Sequence, residues 1–288
     1  MFKTFRVERK KVDLGKYSIV ILEFAGKKYE IIVDPRAALE YYKGNKSADE
    51  VIILYEVYHD YQKGIRATSD EIKKIVLRAA IEKLKMKKGA PLSDEEIQKI
   101  REQVEELDEE KLKELASKYI LEKGQLKLPK ELRDELLDKL VKRIISYVQK
   151  YAINPATKAP YPPTKIEEAL MQVISGVKSG EQRVRVVLDP LKSFEEQLPE
   201  VIRALKTILP IKLEIITVRV KIPTQYTGIA YARLEAYGHV KESKWLDDGS
   251  LEAIVEVPGG QFIQFHNTLA NVTKGTARIS VIERKSIE

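Results

Sequence analysis

The sequence predicts an α+β protein built from more than one domain. Three observations carry this. Strand patterns gather near the N-terminus, the long middle stretch is helical, and the last third runs strand, helix, two strands, helix, strand. At 288 residues the chain also exceeds the roughly 100–150 residues of a common single domain, so two or three domains are expected.

The elements follow in order. "YSIVILEF" and "KKYEIIV" flank the short Gly-containing loop "AGK", which predicts a β-hairpin. "DPRAALEYYKG" reads as a turn and a short helix. "SADE" carries a capping box, Ser47 with Glu50, and "YEVYHDYQKG" reads as an extended segment with alternating tyrosines. A second box, Thr68 with Glu71, opens a helix that ends in "KLKMKKG". Ser93 and Glu96 open the next, and Gly124 stops "DEEKLKELASKYILEKG". Leu132, Leu136, Leu140, Ile144 and Val148 then recur every fourth residue, with Leu137, Val141 and Ile145 beside them, a stripe wide enough to bury.

The stretch "YAINPATKAPYPPTKIEEAL", from Tyr151, holds four prolines between two helical patterns. Helix connections usually run about 2–8 residues, so this longer one is expected to be structured or functional. Asn154-Pro155 and "YPP" restrict the backbone on both sides of "ATKA", which predicts a rigid corner rather than a direct RNA contact. Thr164 and Glu167 would box the helix that follows. "RVRVVLDP" reads as a short strand, and "SFEEQLPEVIRALKTIL" as a helix interrupted by Pro199. The final third, "IKLEIITVRVKI" onwards with the turn "DDGS", gives β-α-β-β-α-β, the ferredoxin-like order.

Several chemistries are excluded or disfavoured. There is no cysteine, hence no disulfide, thiolate metal site or cysteine nucleophile. His59, His239 and His266 fall in separate segments without metal-ligand spacing. Neither a Gly-x-x-x-x-Gly-Lys-Ser/Thr loop nor a Gly-x-Gly-x-x-Gly is present. "PGGQF" at Pro258 offers a small anion nest, although a plain strand-to-helix turn is the favoured reading, and the lone Trp245 is expected to pack. No apolar run is long enough to span a membrane, and "MFKTFRVERKKVD" lacks a signal-peptide core, so no membrane role and a cytoplasmic location are expected.

Net charge is +7, and its distribution is uneven. Residues 1–88 carry 20 Lys and Arg against 13 Asp and Glu; residues 89–210 carry 21 against 22, and residues 211–288 carry 10 against 9. An anionic partner would therefore meet the first third. Basic residues there interleave with tyrosines: Tyr41, Tyr42, Lys43 and Lys46, then Tyr55, Tyr58, Tyr61, Lys63 and Arg66. Lys and Arg neutralise phosphates, and tyrosine faces can stack on bases. Alternating tyrosines in a strand also cover cores, so the cations are the stronger candidates.

These pieces together resemble the Shwachman-Bodian-Diamond syndrome protein family of ribosome maturation proteins, in its archaeal form. "AGKKYEIIVDPRAALEYYKG", "SADEV" and "YEVYHDYQKGIRATSDEI" look like its N-terminal domain. "ILEKGQLKL" looks like the start of its middle domain, and "INPATKAPYPPTKIEEAL" like its signature. "LPIKLEI" and the closing βαββαβ pattern match its C-terminal domain. The helical residues between Ile75 and about Leu107 depart from the family plan.

The resemblance implies three domains: an α/β N-terminal domain at 1–88, a helical middle domain at 89–210 with an extra helical segment near 76–107, and a ferredoxin-like C-terminal domain at 211–288. It implies a factor without catalytic residues or a cofactor that binds the large ribosomal subunit and its rRNA. With an elongation-factor-type GTPase, elongation factor two in archaea, such a factor promotes release of the anti-association factor (initiation factor six). Carried over as RNA contacts are Lys27, Lys28, Lys63 and Arg66, with Lys158 and Lys165 as weaker candidates. The competing readings are an RNA-binding adaptor of an RNA-processing or degrading machine, and an RNA-modifying enzyme, for which no convergent set of groups stands out. Pivots near Lys88 and Pro210 are also expected.

Overall fold

The computed structural model describes residues 15–179 and 182–287. The N-terminal stretch read above for a signal peptide lies outside them. The chain divides into two compact units, Met1–Arg133 and Asp134–Glu288.

In the first unit, β1 (Ser18–Phe24) and β2 (Lys27–Val33) form the expected hairpin. Ala25 and Gly26 turn the chain with φ of 49° and 72°, the two left-handed residues that let a two-residue loop match the strand twist. Then come α1 (Pro35–Tyr42), β3 (Ile52–Asp60), β4 (Ile65–Arg66), α2 (Ser69–Lys88), α3 (Asp94–Glu105), α4 (Glu109–Lys123) and β5 (Gln125–Lys127). The antiparallel sheet has the order β4-β3-β2-β1-β5. All three capping boxes expected here are formed; Ser47 starts a single 3-10 turn, while Thr68 and Ser93 start α2 and α3.

The first domain boundary differs from the sequence reading. Residues 89–127 were placed with the middle domain, yet Ile100, Val104, Leu112, Ala116, Ile120 and Leu121 bury in one core with Val20, Ile31 and Val33 of the sheet. Leu126 of β5 sits opposite Val20 of β1. Gly89 does stop α2, at φ 68°, but a helix stop is not a domain end. A pivot at Lys88 is overturned for the same reason, since α2, α3 and α4 share that core. The charge balance shifts as well: residues 1–133 carry 29 Lys and Arg against 25 Asp and Glu. The added helices bring acids that meet cations of the first third, as in Lys73 with Glu105 and Lys88 with Glu96.

From Asp134 on, the second unit holds most of α5 (Lys130–Tyr151), then β6 (Ala152–Ile153), α6 (Pro163–Ser175), β7 (Val177–Ser179), β8 (Gln182–Val184) and α7 (Phe194–Leu205). Ile144 and Val148, from the predicted stripe of α5, are buried with Ile166, Leu170, Val173, Val201 and Leu205. The helix after the corner starts at Pro163, with Pro162 as its cap, so the expected box of Thr164 and Glu167 does not form. Two prolines preset φ, and the Pro162 carbonyl takes the Lys165 and Ile166 amides instead. Pro199 lies inside α7 without ending it.

β9 (Lys212–Ile222), α8 (Thr227–Tyr237), β10 (His239–Trp245), β11 (Leu251–Pro258), α9 (Phe262–Val272) and β12 (Arg278–Ser286) complete the unit. Their sheet order, β10-β11-β9-β12, all antiparallel, is the ferredoxin-like one. Alternate residues of β9 and β11 bury under Ala230, Leu234, Phe265 and Leu269 of the two helices. Trp245 was expected to pack and is 60% exposed, because it ends the edge strand β10.

The proline-rich corner is a built turn. β6 pairs with the start of β9, and Ile153 also bridges Pro160. Asn154 donates its amide to Ala159 O at 2.9 Å and accepts the Lys158 amide at 2.8 Å. Its side-chain oxygen accepts from the amides of Ala156 and Thr157 at 2.9 and 3.3 Å. The Tyr161 hydroxyl donates to Pro210 O at 2.9 Å, which ties the corner to the residue expected to be a pivot. Asn154→Ala removes two of these contacts. We expect a loss of about 1–2 kcal/mol in urea unfolding, with the m-value unchanged.

Candidate nucleic-acid interface

Each of the six N-terminal cations singled out by the sequence is exposed and stands beside a carboxylate. Lys27 Nζ lies 2.5 Å from Glu71, and Lys28 pairs with Glu30. Lys43 is 2.7 Å from Glu40, Lys46 is 3.6 Å from Glu50, Lys63 is 2.6 Å from Asp60, and Arg66 is 3.8 Å from Glu56. The pairs of Lys43, Lys46 and Lys63 are exposed on both sides and contribute only about 0–1 kcal/mol, so a phosphate can replace their carboxylates at small cost, whereas Lys28 faces the buried Glu30.

The fold sets four of the six at one end of the sheet, with Lys27 and Lys28, consecutive in β2, on opposite faces. Register places Glu30 of β2 opposite Tyr58 of β3, and Tyr58 opposite Arg66 of β4. The 3-10 turn that carries Lys63 is tied down where Tyr61 donates its amide to Glu30 at 2.9 Å. Lys63 and Lys28 both hold the Asp60 carboxyl below its usual range, Lys63 more strongly through its hydrogen bond. Lys27 and Lys28 open β2 next to the same turn. Lys43 and Lys46 form a separate pair around the end of α1, while Lys158 stands in the corner of the second unit and Lys165 in the first turn of α6. Lys158 occupies the left-handed region at φ 58°.

The tyrosines resolve differently. Tyr58 and Tyr61 are 9% and 7% exposed, so their faces are not stacking platforms. Tyr42 and Tyr55 spend their hydroxyls on Leu121 O and Asp49. Burial, then the Asp49 bond, pushes the Tyr55 phenol up to about 12.

His59, singled out in the sequence only for lacking metal-ligand spacing, joins β2 to α2 at this end of the sheet. Its Nδ1 lies 2.9 Å from Lys28 O and its Nε2 2.9 Å from Glu71. The Lys27 ammonium first, then the Thr68 amide and His59, hold Glu71 well below the usual carboxylate range. The bond to Lys28 O, against the opposing effect of burial and with help from Glu71, raises the His59 pKa. A raised pKa stabilises the protonated folded form. This contribution is complete below the ordinary value of about 6.5 and is lost as pH rises through the native value. Melting temperatures of wild type and His59→Gln should differ most near pH 6 and converge by pH 9; a constant gap would contradict the assignment.

Sequence reasoning missed Lys123 and Lys127. They line a cleft of ≈ 490 Å³ with Lys28, Ile21, Glu23 and Gln125, beside the edge strand β5. Three residues of strand leave almost no alternation to read, and β5 was assigned to another domain.

Two chemical alternatives lose ground. The Gly259-Gly260 turn is no anion nest: a Cβ on Gly260 would lie 2.1 Å from Gln149 O, so carbonyl oxygens fill that space. The cleft of ≈ 340 Å³ around His239 also holds Glu235 and Glu256, but Glu256 is engaged by Lys241 at 2.7 Å. Among the described residues no group of three or more His, Asp or Glu is placed to hold a metal ion, and no helix is long and apolar enough to cross a membrane.

Fold and surface thus define a multidomain α+β protein whose first sheet ends in exposed cations paired with carboxylates. Comparison with known proteins places it further. Family models match residues 16–89 (Shwachman-Bodian-Diamond syndrome N-terminal domain), 142–214 (SBDS protein, domain II) and 216–284 (SBDS protein, C-terminal domain). The chain belongs to the Shwachman-Bodian-Diamond syndrome (SBDS) family. It is 29% identical to the "Ribosome maturation protein SDO1 homolog" of Methanothermobacter thermautotrophicus, over 94% of this chain and 100% of that one. The protein of the same name from Aeropyrum pernix is 30% identical, over 92% and 96% of the two chains. "Ribosome maturation protein SBDS" of Caenorhabditis elegans is 25% identical over 100% and 97%. The segment 90–141, which holds α3 and α4, falls between the matched regions.

Proposed function

We propose that this protein is a ribosome maturation factor that binds the large ribosomal subunit through its rRNA. With an elongation-factor-type GTPase it promotes release of the anti-association initiation factor. The observation that carries this reading is the naming of relatives, from two archaea and an animal, that align over nearly the whole chain as ribosome maturation proteins. The convergence of Lys27, Lys28, Lys63 and Arg66 at one end of the first sheet supports RNA as the contacted surface. In this role the protein works by docking and by positioning a partner GTPase, and it acts in the cytoplasm. Its three domains are the sheet unit with its added helices, the helical segment and the ferredoxin-like segment.

Co-sedimentation tests the docking step. Saturable binding to purified large subunits, tighter than to protein-free RNA and weakening steeply with salt, is expected. Equal binding to bare, unstructured RNA and to subunits would instead favour an adaptor of RNA-processing machinery.

A further inference from the structure

The pair β7 and β8 is a two-stranded sheet of its own, and such a hairpin is marginal unless something holds it. Its inner side is held. Val177 and Val184 pack against the helical core, Val186 is buried in it, and the Val186 amide donates to Val173 O of α6 at 2.9 Å. Val184, the last residue of β8, and Val186 just beyond it turn to the core, while Arg183 and Arg185 between them stay exposed.

The outer side has an unusual charge arrangement. Lys178 and Arg183 are direct cross-strand partners, and Arg185 follows two residues on. All three are exposed. Like charges placed opposite each other destabilise a strand pair. Among the described residues no carboxylate pairs with any of the three, whereas each of the six N-terminal cations has one. Arg183 folds back over Gly176 at the end of α6, where a Cβ on that glycine would lie 3.0 Å from its Nε. The negative end of the helix dipole therefore positions its guanidinium. The hairpin gains no stability from Lys178 and Arg185, and an anion would relieve the repulsion.

We infer that the β7–β8 hairpin is a second RNA-binding element, with Lys178, Arg183 and Arg185 contacting backbone phosphates. Their spacing, about 5–7 Å across and along the strands, lets each cation meet its own oxygen cluster. Two arginines suit the bidentate geometry of phosphate. No tryptophan or tyrosine lies in residues 176–188 to anchor a protein partner. The inference rests on the proposed ribosomal role for the identity of the RNA, and not for its chemistry.

The test uses the full chain carrying Lys178→Glu and Arg185→Glu, with Arg183 retained for its seat over Gly176. An unchanged melting temperature shows that the fold is intact. In co-sedimentation with purified large subunits the variant should bind about tenfold or more weakly. The slope of log affinity against log salt should fall by about 1.5–2, one increment for each lost phosphate. A photoreactive residue at Val187, 71% exposed beside the cations, should crosslink to rRNA. Wild-type binding with an unchanged variant overturns the hairpin while leaving the ribosomal role intact. A crosslink only to ribosomal protein overturns it in favour of an acidic protein partner. If the wild type ignores subunits altogether, the ribosomal role fails. The same titration on protein-free ribosomal RNA then decides the hairpin: weaker variant binding upholds it, and equal binding overturns it.

Discussion

Replacing Gly260 with alanine is expected to destabilise the second unit by about 3 kcal/mol, lowering its melting temperature by about 10 °C. The turn after β11 presses against the end of α5, and an added Cβ would lie 2.1 Å from Gln149 O and 2.9 Å from Lys150 O. Both obstacles are backbone, so no side chain can swing aside. This contact, the β6–β9 pairing and the Tyr161–Pro210 bond make the helical and ferredoxin-like segments one unit. Glu214 adds to the seam: it is fully buried at the start of β9, 2.5 Å from Arg284 and 3.2 Å from Lys212. Gly228→Ala is the matched control. It lies in α8 with nothing within 4 Å, so alanine should be neutral or stabilise by up to about 1 kcal/mol. Equal effects at the two glycines would refute the close-packed seam.

Substituting Lys27, Lys63 and Arg66 together by glutamine is expected to weaken binding to large subunits by about 30–100-fold, with the salt slope reduced by about 2–3. The three cations stand at one end of the first sheet and are paired only with partly exposed carboxylates that water can solvate in their place. Lys28 is left out on purpose. Its partner Glu30 is 3% exposed, so Lys28→Gln would strand a buried carboxylate and confound binding with folding. Affinity titrations at several salt concentrations separate the outcomes. Weaker binding with an unchanged slope would mean that these residues act through shape and not through phosphates.

Much of this architecture was legible because it rests on local signals. The β1–β2 hairpin showed in its loop, α2 and α3 in their capping boxes, and the ferredoxin-like order in the alternation of the last third. The first domain boundary was not legible, because membership of a domain depends on long-range burial. Ile100, Val104 and Leu126 look the same in sequence whether they join one core or another. The site divides along the same line. Which residues are cations is plain, but that Lys27 and His59 share Glu71 depends on β2, β3 and α2 meeting. The Arg183–Arg185 alternation was visible as a strand. Its charge meaning appears only when register sets Lys178 opposite Arg183.

The central claim is that this chain clears the anti-association factor from maturing large subunits. The most direct test loads purified large subunits with that factor, adds the protein with elongation factor two and GTP, and measures the factor remaining after sedimentation. Release should need both the protein and GTP, and should be lost in the Lys27, Lys63 and Arg66 variant. Saturable binding to subunits with the factor fully retained would contradict it.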